Sequence, residues 1–334
     1  MKYVYVLTSS NEDYYYEQFL LSLTSMQLYN PNAAIIVLTD KKTKQNLAGT
    51  RSKYEKLVSD IQVIDVPKEH SQKEASRWIK TSIHHYISDS FLYIDCDTII
   101  TQSLEHNFPD SIHIGAVLDT HVSLENHHKR EDFQKEDKNA GFNSSINTNF
   151  RYNGGLIFCK STSLSHEFFE KWHSLWIIGR NRGCSQDMPS FNQAHYETNN
   201  IITELGGEWN CQLSYNGLPY LHDAKIIHYY ATSLLNLAHP YRLASAEVLS
   251  SIKENGEIQP EVYDLLHNPL AAFEQSTRIV SGKYILEVFD SPLFKSMIWL
   301  RDCHHSVFNG INNIINFFIS LFKKNPAYNK RKLR

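Results

Sequence analysis

The stretch FLYIDCDTII, residues 91–100, places an apolar run directly before two carboxylates, Asp95 and Asp97. Such a run reads as a strand buried on both faces, as in the interior of a parallel sheet. In extended backbone residues i and i+2 project to one side, so the two acids point together. Carboxylates aimed at one place repel unless a cation or proton intervenes. Two readings follow: a strand end whose acids are simply hydrated, or a hard-oxygen site for Mn²⁺ or Mg²⁺, ions that commonly bridge to a diphosphate.

Working outward, YVYVLTS (3–9), AIIVLTD (34–40) and IQVIDVP (61–67) repeat the buried-strand character. Between them YEQFLLSLTSMQLY (16–29) carries apolar residues at helical spacing. A second helix is predicted over 74–87, with Trp78, Ile79, Ile83, Tyr86 and Ile87 on one face and Arg77, Lys80 and His84 on the other. This alternation predicts an α/β fold with an open, mostly parallel sheet, whose ligands sit at the carboxyl ends of strands. Asp95 and Asp97 fall at such an end. The basic helix face leading to it either meets phosphate oxygens or is an ordinary solvated face.

HIGAVLD (113–119), RYNGGLIFCK (151–160) and AKIIHYYA (224–231) predict further strands, and HEFFEKWHSLW (166–176) a helix. Residues 121–150 are polar and lack apolar periodicity, which predicts a long surface loop or a lid. Gly154 and Gly155 allow close approach of backbone to a ligand or mark a bulge, and Asn153 beside them can bond sugar hydroxyls. In CSQDMPSFNQA, Pro189 suits a first helical turn, leaving Asp187 as an N-cap or as a site acid near that turn. His228, late in a strand, is either a metal ligand or a core histidine.

With 334 residues and 42% hydrophobic content, the chain can bury one large core or two modest ones. A net charge of −3 gives no basic field for nucleic acid. The five cysteines are scattered without a Cys-x-x-Cys pair, which fits a reducing, cytoplasmic setting. No signal-like start and no membrane-spanning apolar run are read. Near the end, Val307, Phe308, Ile311, Ile314, Ile315, Phe318, Ile319 and Phe322 form a helical apolar stripe opposite Asn312, Asn313, Asn316 and Ser320. The tail KKNPAYNKRKLR adds six basic residues and no acid. A catalytic domain over 1–240 and a helical extension over 241–334 are expected, the latter docking on protein or on the anionic cytoplasmic face of a membrane.

LYIDCDT, YNGGLIF, DMPSFN, WN (Trp209 and Asn210) and IIHYY, in this order, resemble nucleotide-sugar glycosyltransferases of the GT-A fold, especially family 8 and its bacterial relatives. The resemblance covers residues 1–232 as short islands. It implies a divalent metal, usually Mn²⁺, on Asp95 and Asp97 with His228 as third ligand. It implies a UDP-sugar near Thr8, Ser9, Ser10, Asp13 and Tyr14, with Arg77 and Lys80 near the diphosphate. Asn153 and Gly154 would face the donor sugar, with Gly155 also in the donor-binding set, and Asp187 would sit beside the anomeric carbon, as cation stabiliser or as base. Two departures stand out: Met188 replaces a glutamine, and NLAHPY (236–241) replaces a Lys-Pro-Trp type loop. Transfer to a glycan or lipid-linked acceptor in surface polysaccharide or lipopolysaccharide synthesis is expected. The competing reading is a non-catalytic sugar-nucleotide or glycan-binding module.

Overall fold

The computed structural model describes residues 1–230, 240–275, 277 and 283–323. Positions 236–239 and the basic residues from Lys324 onward, which carried two of the expectations above, lie outside that set. The chain forms two compact units, Met1–Thr277 and Arg278–Arg334.

In chain order the first unit contains β1 (Lys2–Leu7), α1 (Tyr15–Tyr29), β2 (Ala34–Asp40), α2 (Lys41–Asn46), β3 (Asp60–Ile64), α3 (Gln72–Thr81) and β4 (Phe91–Ile94). There follow β5 (Thr98–Ile100), β6 (Ile114–Leu118), α4 (Arg130–Ala140), α5 (Ser144–Asn147), β7 (Tyr152–Cys159), α6 (Ser163–Asn181) and α7 (Met188–Glu197). Three short strands, β8 (Ile202–Glu204), β9 (Cys211–Gln212) and β10 (Ile226–His228), precede α8 (Ala246–Asn255) and α9 (Pro260–Leu266).

Seven strands form one sheet in the order β3-β2-β1-β4-β7-β6-β8. Alternation along each strand divides the core between its two faces. Tyr3, Tyr5 and Leu7 of β1 join Leu92 and Ile94 of β4 in one cluster. Val4, Val6, Phe91 and Tyr93 join the other, with Trp172 of α6. The chain leaves β1 first toward β2 and β3 and later returns to β4 on its other side, so β1 and β4 flank a topological switch point.

Pairings β1–β2, β2–β3, β1–β4 and β6–β8 are parallel, as expected, but β7 runs antiparallel to both β4 and β6. That reversal has a consequence for the site. β7 begins where β4 ends, and the Asp95 amide donates to the Gly155 carbonyl at 2.8 Å. A separate three-stranded sheet, β5-β10-β9, holds the strand expected at 224–231.

Two expectations change. Residues 121–150 are not a structureless loop, because they contain α4 and α5. Polar bonds replace an apolar stripe there. Buried Asp137 accepts from Ser144 Oγ and Ser145 N at 3.1 Å each, and the Arg151 guanidinium lies 3.7 Å from the Phe133 ring centre. The first unit also extends beyond residue 240. Tyr241, Leu243, Leu249, Ile252 and Leu266 are buried in the cluster containing Tyr5 and Phe19. Tyr29 Oη donates to the Leu266 carbonyl at 3.0 Å.

The second unit consists of α10 (Lys283–Asp290), α11 (Pro292–Cys303) and α12 (His305–Lys323). Tyr284, Val288, Leu293, Trp299, Ile314 and Phe318 are exposed, and so are Phe317 and Leu321, which widen the apolar face beyond the predicted stripe. No described helix is long and apolar enough to cross a membrane.

Candidate active site

A cleft of about 660 Å³ opens over the carboxyl ends of β1 and β4. Thr8, Arg77, Lys80, Asp95, Asp97, Asn153, Gly154, Gly155, Asp187 and His228 all line it. The sheet brings these distant segments together: β4 delivers the acids, α3 the cations, β7 the Asn-Gly-Gly segment and β10 the histidine.

His228 owes its place to register. β10 pairs antiparallel with β5, setting His228 opposite Thr98, and the Tyr229 amide donates to the Asp97 carbonyl at 3.2 Å. His228 Nε2 then stands 3.3 Å from Asp97 Oδ1. Ligand atoms of Asp95, Asp97 and His228 lie within 4.8 Å of one another. Burial alone would raise the Asp97 carboxyl, but the His228 imidazole outweighs it and holds that carboxyl below its usual value. For His228 burial acts downward, and Asp97 reverses it, so the imidazole is raised.

Behind His228 runs a chain of amides. Its Nδ1 lies 3.0 Å from Asn210 Oδ1, and Asn210 Nδ2 donates to Asn153 Oδ1 at 3.0 Å. Asn153 Oδ1 also accepts from the Gly155 amide at 2.8 Å. Asn153 Nδ2 donates to Asp119 Oδ1 at 3.0 Å and to Tyr230 Oη at 2.9 Å. This directs an Nδ1–H toward Asn210 and leaves Nε2 toward the carboxylates, the tautomer control usual behind a metal-ligating histidine. Two carboxylates and such an imidazole fit a divalent cation.

The Asn153 amide is thereby saturated, with both acceptor positions and both donors in use. The protein thus engages the whole of the side-chain amide that was expected to bond a sugar. Gly155 is explained by the protein as well as by any ligand: a Cβ there would fall 2.4 Å from His228 Cε1. Gly154 faces Lys80 and Asp187 at ordinary contact distance.

Asp187 begins α7 but caps nothing; its side chain makes no cap bond. Instead Oδ2 lies 2.8 Å from Lys80 Nζ and Oδ1 lies 3.0 Å from Arg77 Nε. Lys80 also reaches Asp95 Oδ1 at 3.3 Å, and that oxygen accepts from Tyr93 Oη. Burial would raise the Asp187 carboxyl; Lys80 and Arg77 overcome this and hold it far below the usual carboxylate range. Lys80 is buried, yet Asp187 and Asp95 keep its ammonium raised. The capping box of Ser71 and Glu74 starts α3, and Glu74 in turn accepts from Arg180 Nε at 2.7 Å.

Five predicted residues stand elsewhere. Ser9 bonds Asp13 at 2.7 Å and Ser10 Oγ bonds it at 2.8 Å, and none of these three is part of the cleft lining. The Tyr14 hydroxyl is 2.9 Å from Ser250 Oγ on α8, and neighbouring Tyr15 lines the cleft in its stead. His84 turns away to Glu170. Sequence reasoning missed the roles of Tyr93, Asp119 and Tyr230. Asn210 lay inside a quoted motif without an assigned task, and Gln72, which lines the cleft and donates to Asp13 at 2.7 Å, carried no signal.

A family model described as nucleotide-diphospho-sugar transferase matches residues 32–209, just over half of the chain. Comparison with curated proteins returns no significant match. Among solved structures, the galactosyltransferase LgtC in complex with donor and acceptor sugar analogs is 15% identical, with a TM-score of 0.50 over 80% of this chain and 100% of that one. An active-site mutant of LgtC gives 14% identity and a TM-score of 0.52 over the same shares. At such identity the likeness concerns the fold, which is GT-A. The matched segment contains β4 and the paired acids after it, the Asn-Gly-Gly start of β7 and Asp187, and through it the chain belongs to the nucleotide-diphospho-sugar transferase family, as a glycosyltransferase.

Proposed function

We propose that this glycosyltransferase takes its sugar from a UDP-sugar with the help of Mn²⁺ or Mg²⁺ held by Asp95, Asp97 and His228. The observation that carries this reading is the charge arrangement of one cleft. Ligand atoms of Asp95, Asp97 and His228 converge within 4.8 Å, and beside them Lys80 and Arg77 are tied to Asp187, with Lys80 also on Asp95. A divalent cation on the convergent group would offset the charge of Asp95 and Asp97 where a diphosphate is to bind. When bound, such an ion supplies Lewis-acid stabilisation of the departing nucleoside diphosphate.

The residues supply the rest. Tyr93 and Lys80 orient Asp95, while Asn210 and Asn153 orient His228. Asp187, held ionised between two cations, is too weak a base to deprotonate an acceptor hydroxyl efficiently, since a catalytic base works best near the operating pH. It is better suited to stand as a fixed negative charge near a developing oxocarbenium ion. The wall formed by 121–150 brings His128, Lys129 and Phe133 to the cleft, where an acceptor would enter.

We further infer a lipid-linked or surface-glycan acceptor met at an anionic membrane, as in polysaccharide or lipopolysaccharide assembly. The exposed apolar faces of α10, α11 and α12 and the basic composition of the last twelve residues support this. Apolar insertion together with a polybasic segment is the two-signal arrangement for stable peripheral attachment.

A panel of nucleotide sugars, assayed for metal-dependent release of the nucleoside diphosphate, tests the reaction. UDP release in Mn²⁺ that chelator abolishes is the expected result; no release or binding with any sugar nucleotide would leave the binding-module reading. Removing Arg278–Arg334 should spare donor hydrolysis and end sedimentation with phosphatidylglycerol vesicles. Failure of the full chain to sediment at low salt would sink the membrane assignment.

A further inference from the structure

His84 is the one member of the predicted basic face that the cleft does not use. With His85 it occupies the 3-10 turn Ile83–His85, directly after α3. Both imidazoles meet Glu170 of α6 at a single oxygen: His84 Nε2 is 2.9 Å and His85 Nε2 2.7 Å from Oε1. The two ring centres are 4.0 Å apart. All three ligand atoms lie within 4.8 Å of one another. The His166 ring lies 5.8 Å from that of His84, and the His173 ring 6.3 Å from that of His85. Both belong to α6, one turn before and one turn after Glu170.

Around a tetrahedral ion with bonds of about 2.0–2.1 Å, neighbouring ligand atoms are about 3.4 Å apart. Opening the present contacts to that spacing requires the Glu170 carboxylate to retreat by roughly half an ångström. Its side chain is 60% exposed, which leaves solvent-filled space for that movement. Burial, the largest influence on His84, favours the neutral imidazole that a metal requires.

We propose that His84, His85 and Glu170 form a second metal site, outside the cleft, for a borderline divalent cation of the Zn²⁺ class, with water completing its coordination. Two imidazoles and one carboxylate suit Zn²⁺, whereas a site richer in carboxylate suits Mn²⁺ or Mg²⁺. The site lacks one feature that His228 has. His84 Nδ1 is buried without a partner, so no outer acceptor orients the ring, and affinity should be micromolar in class rather than nanomolar. An ion here would join the turn after α3, the helix of Arg77 and Lys80, to α6, whose Trp172 Nε1 donates to the Asp187 carbonyl at 3.3 Å. It would act as a staple beneath the cleft.

The test is Zn²⁺ titration of the full chain by calorimetry, with Co²⁺ visible absorption as an independent reading of coordination. Neither requires turnover. Three proteins are compared: the parent, His85→Ala/Glu170→Gln, and Asp95→Asn/Asp97→Asn. His85 and Glu170 are exposed, so their replacement should leave the fold intact by circular dichroism. The parent should bind one more equivalent of Zn²⁺ than the His85/Glu170 variant. The Asp95/Asp97 variant should keep that equivalent, together with the rise in melting midpoint that Zn²⁺ causes. Equal stoichiometry and affinity in the parent and the His85/Glu170 variant would overturn the proposal. If the Asp95/Asp97 variant does not fold, the parent and the His85/Glu170 variant are compared in saturating Mn²⁺, with the same two outcomes.

Discussion

Trp172 and Trp299 both sit on helices with an apolar face, and their surroundings could hardly differ more. Trp172, in the first unit, is completely buried, while Trp299, in the second, is 45% exposed. The contrast extends to charge. In the first unit the buried Lys80 is matched by two carboxylates, and Asp187 by two cations. In the second, apolar side chains along α10, α11 and α12 face solvent. Amphipathic periodicity is therefore a statement about a helix and not about its partner: the same pattern leads into a core in one unit and to an uncovered face in the other.

The contrast can be tested by substitution. The largest effect is expected where answered charge meets chemistry. Asp97→Asn should lower kcat by about 100-fold or more while the fold persists, since a metal's stabilisation of transition-state charge is worth several kcal/mol. Near-normal turnover of that variant in Mn²⁺ would remove Asp97 from the metal site.

Next is Asp187→Asn, which strips Lys80 and Arg77 of their common partner. Breaking a buried ion pair from one side costs about 3–5 kcal/mol, to be read from denaturant melts. The pH dependence has a definite sign. The folded Asp187 carboxyl lies below its ordinary 3.8, so its contribution is complete above that value and is lost as pH falls toward the folded one. The stability gap between parent and Asp187→Asn should stay constant above about pH 4 and narrow below it. A gap already shrinking near neutral pH would contradict the ion pairing.

Trp172→Ala should destabilise by about 3–5 kcal/mol through transfer loss and a cavity. Trp299→Ala, at the far end of the scale, should change stability by less than about 0.5 kcal/mol. If Trp299→Ala proves as costly as Trp172→Ala, the exposed face of α11 is covered in solution and the comparison between the units fails.

Much of the first unit was legible because buried strands advertise themselves. β2 is observed at the predicted residues, and the lead-in to Asp95 is four consecutive buried positions. The antiparallel course of β7 was not legible, since a strand buried on both faces reads the same in either direction. Helix α4 escaped notice because ion pairs and a buried Asp137 hold it, and periodicity reports only apolar faces. In the site, paired acids and an Asn-Gly-Gly run are local patterns. The contacts of Asp187 with Lys80, and of Asn153 with Asp119, join residues far apart in sequence, and no spacing encodes them. Tyr14 and Tyr15 show the limit of local reading: adjacent tyrosines at a helix start differ only in which way they face.

The amide chain behind His228 carries direction as well as position. A carboxylate can only accept, so Asp119 obliges Asn153 to present its NH₂ group. Asn153 then turns its oxygen to Asn210, Asn210 turns its NH₂ to Asn153, and its oxygen is left for the histidine ring. Each link sets the sense of the next, and none can invert alone without placing like poles face to face. Asp119 at the amide's nitrogen and the Gly155 N–H at its oxygen, neither of them a side chain on the carboxylate pair, thus set together which nitrogen of His228 bears hydrogen. Replacing Asp119 with asparagine would keep the shape of the site and remove one of these two guides, so that the Gly155 amide alone would hold the sense of the chain.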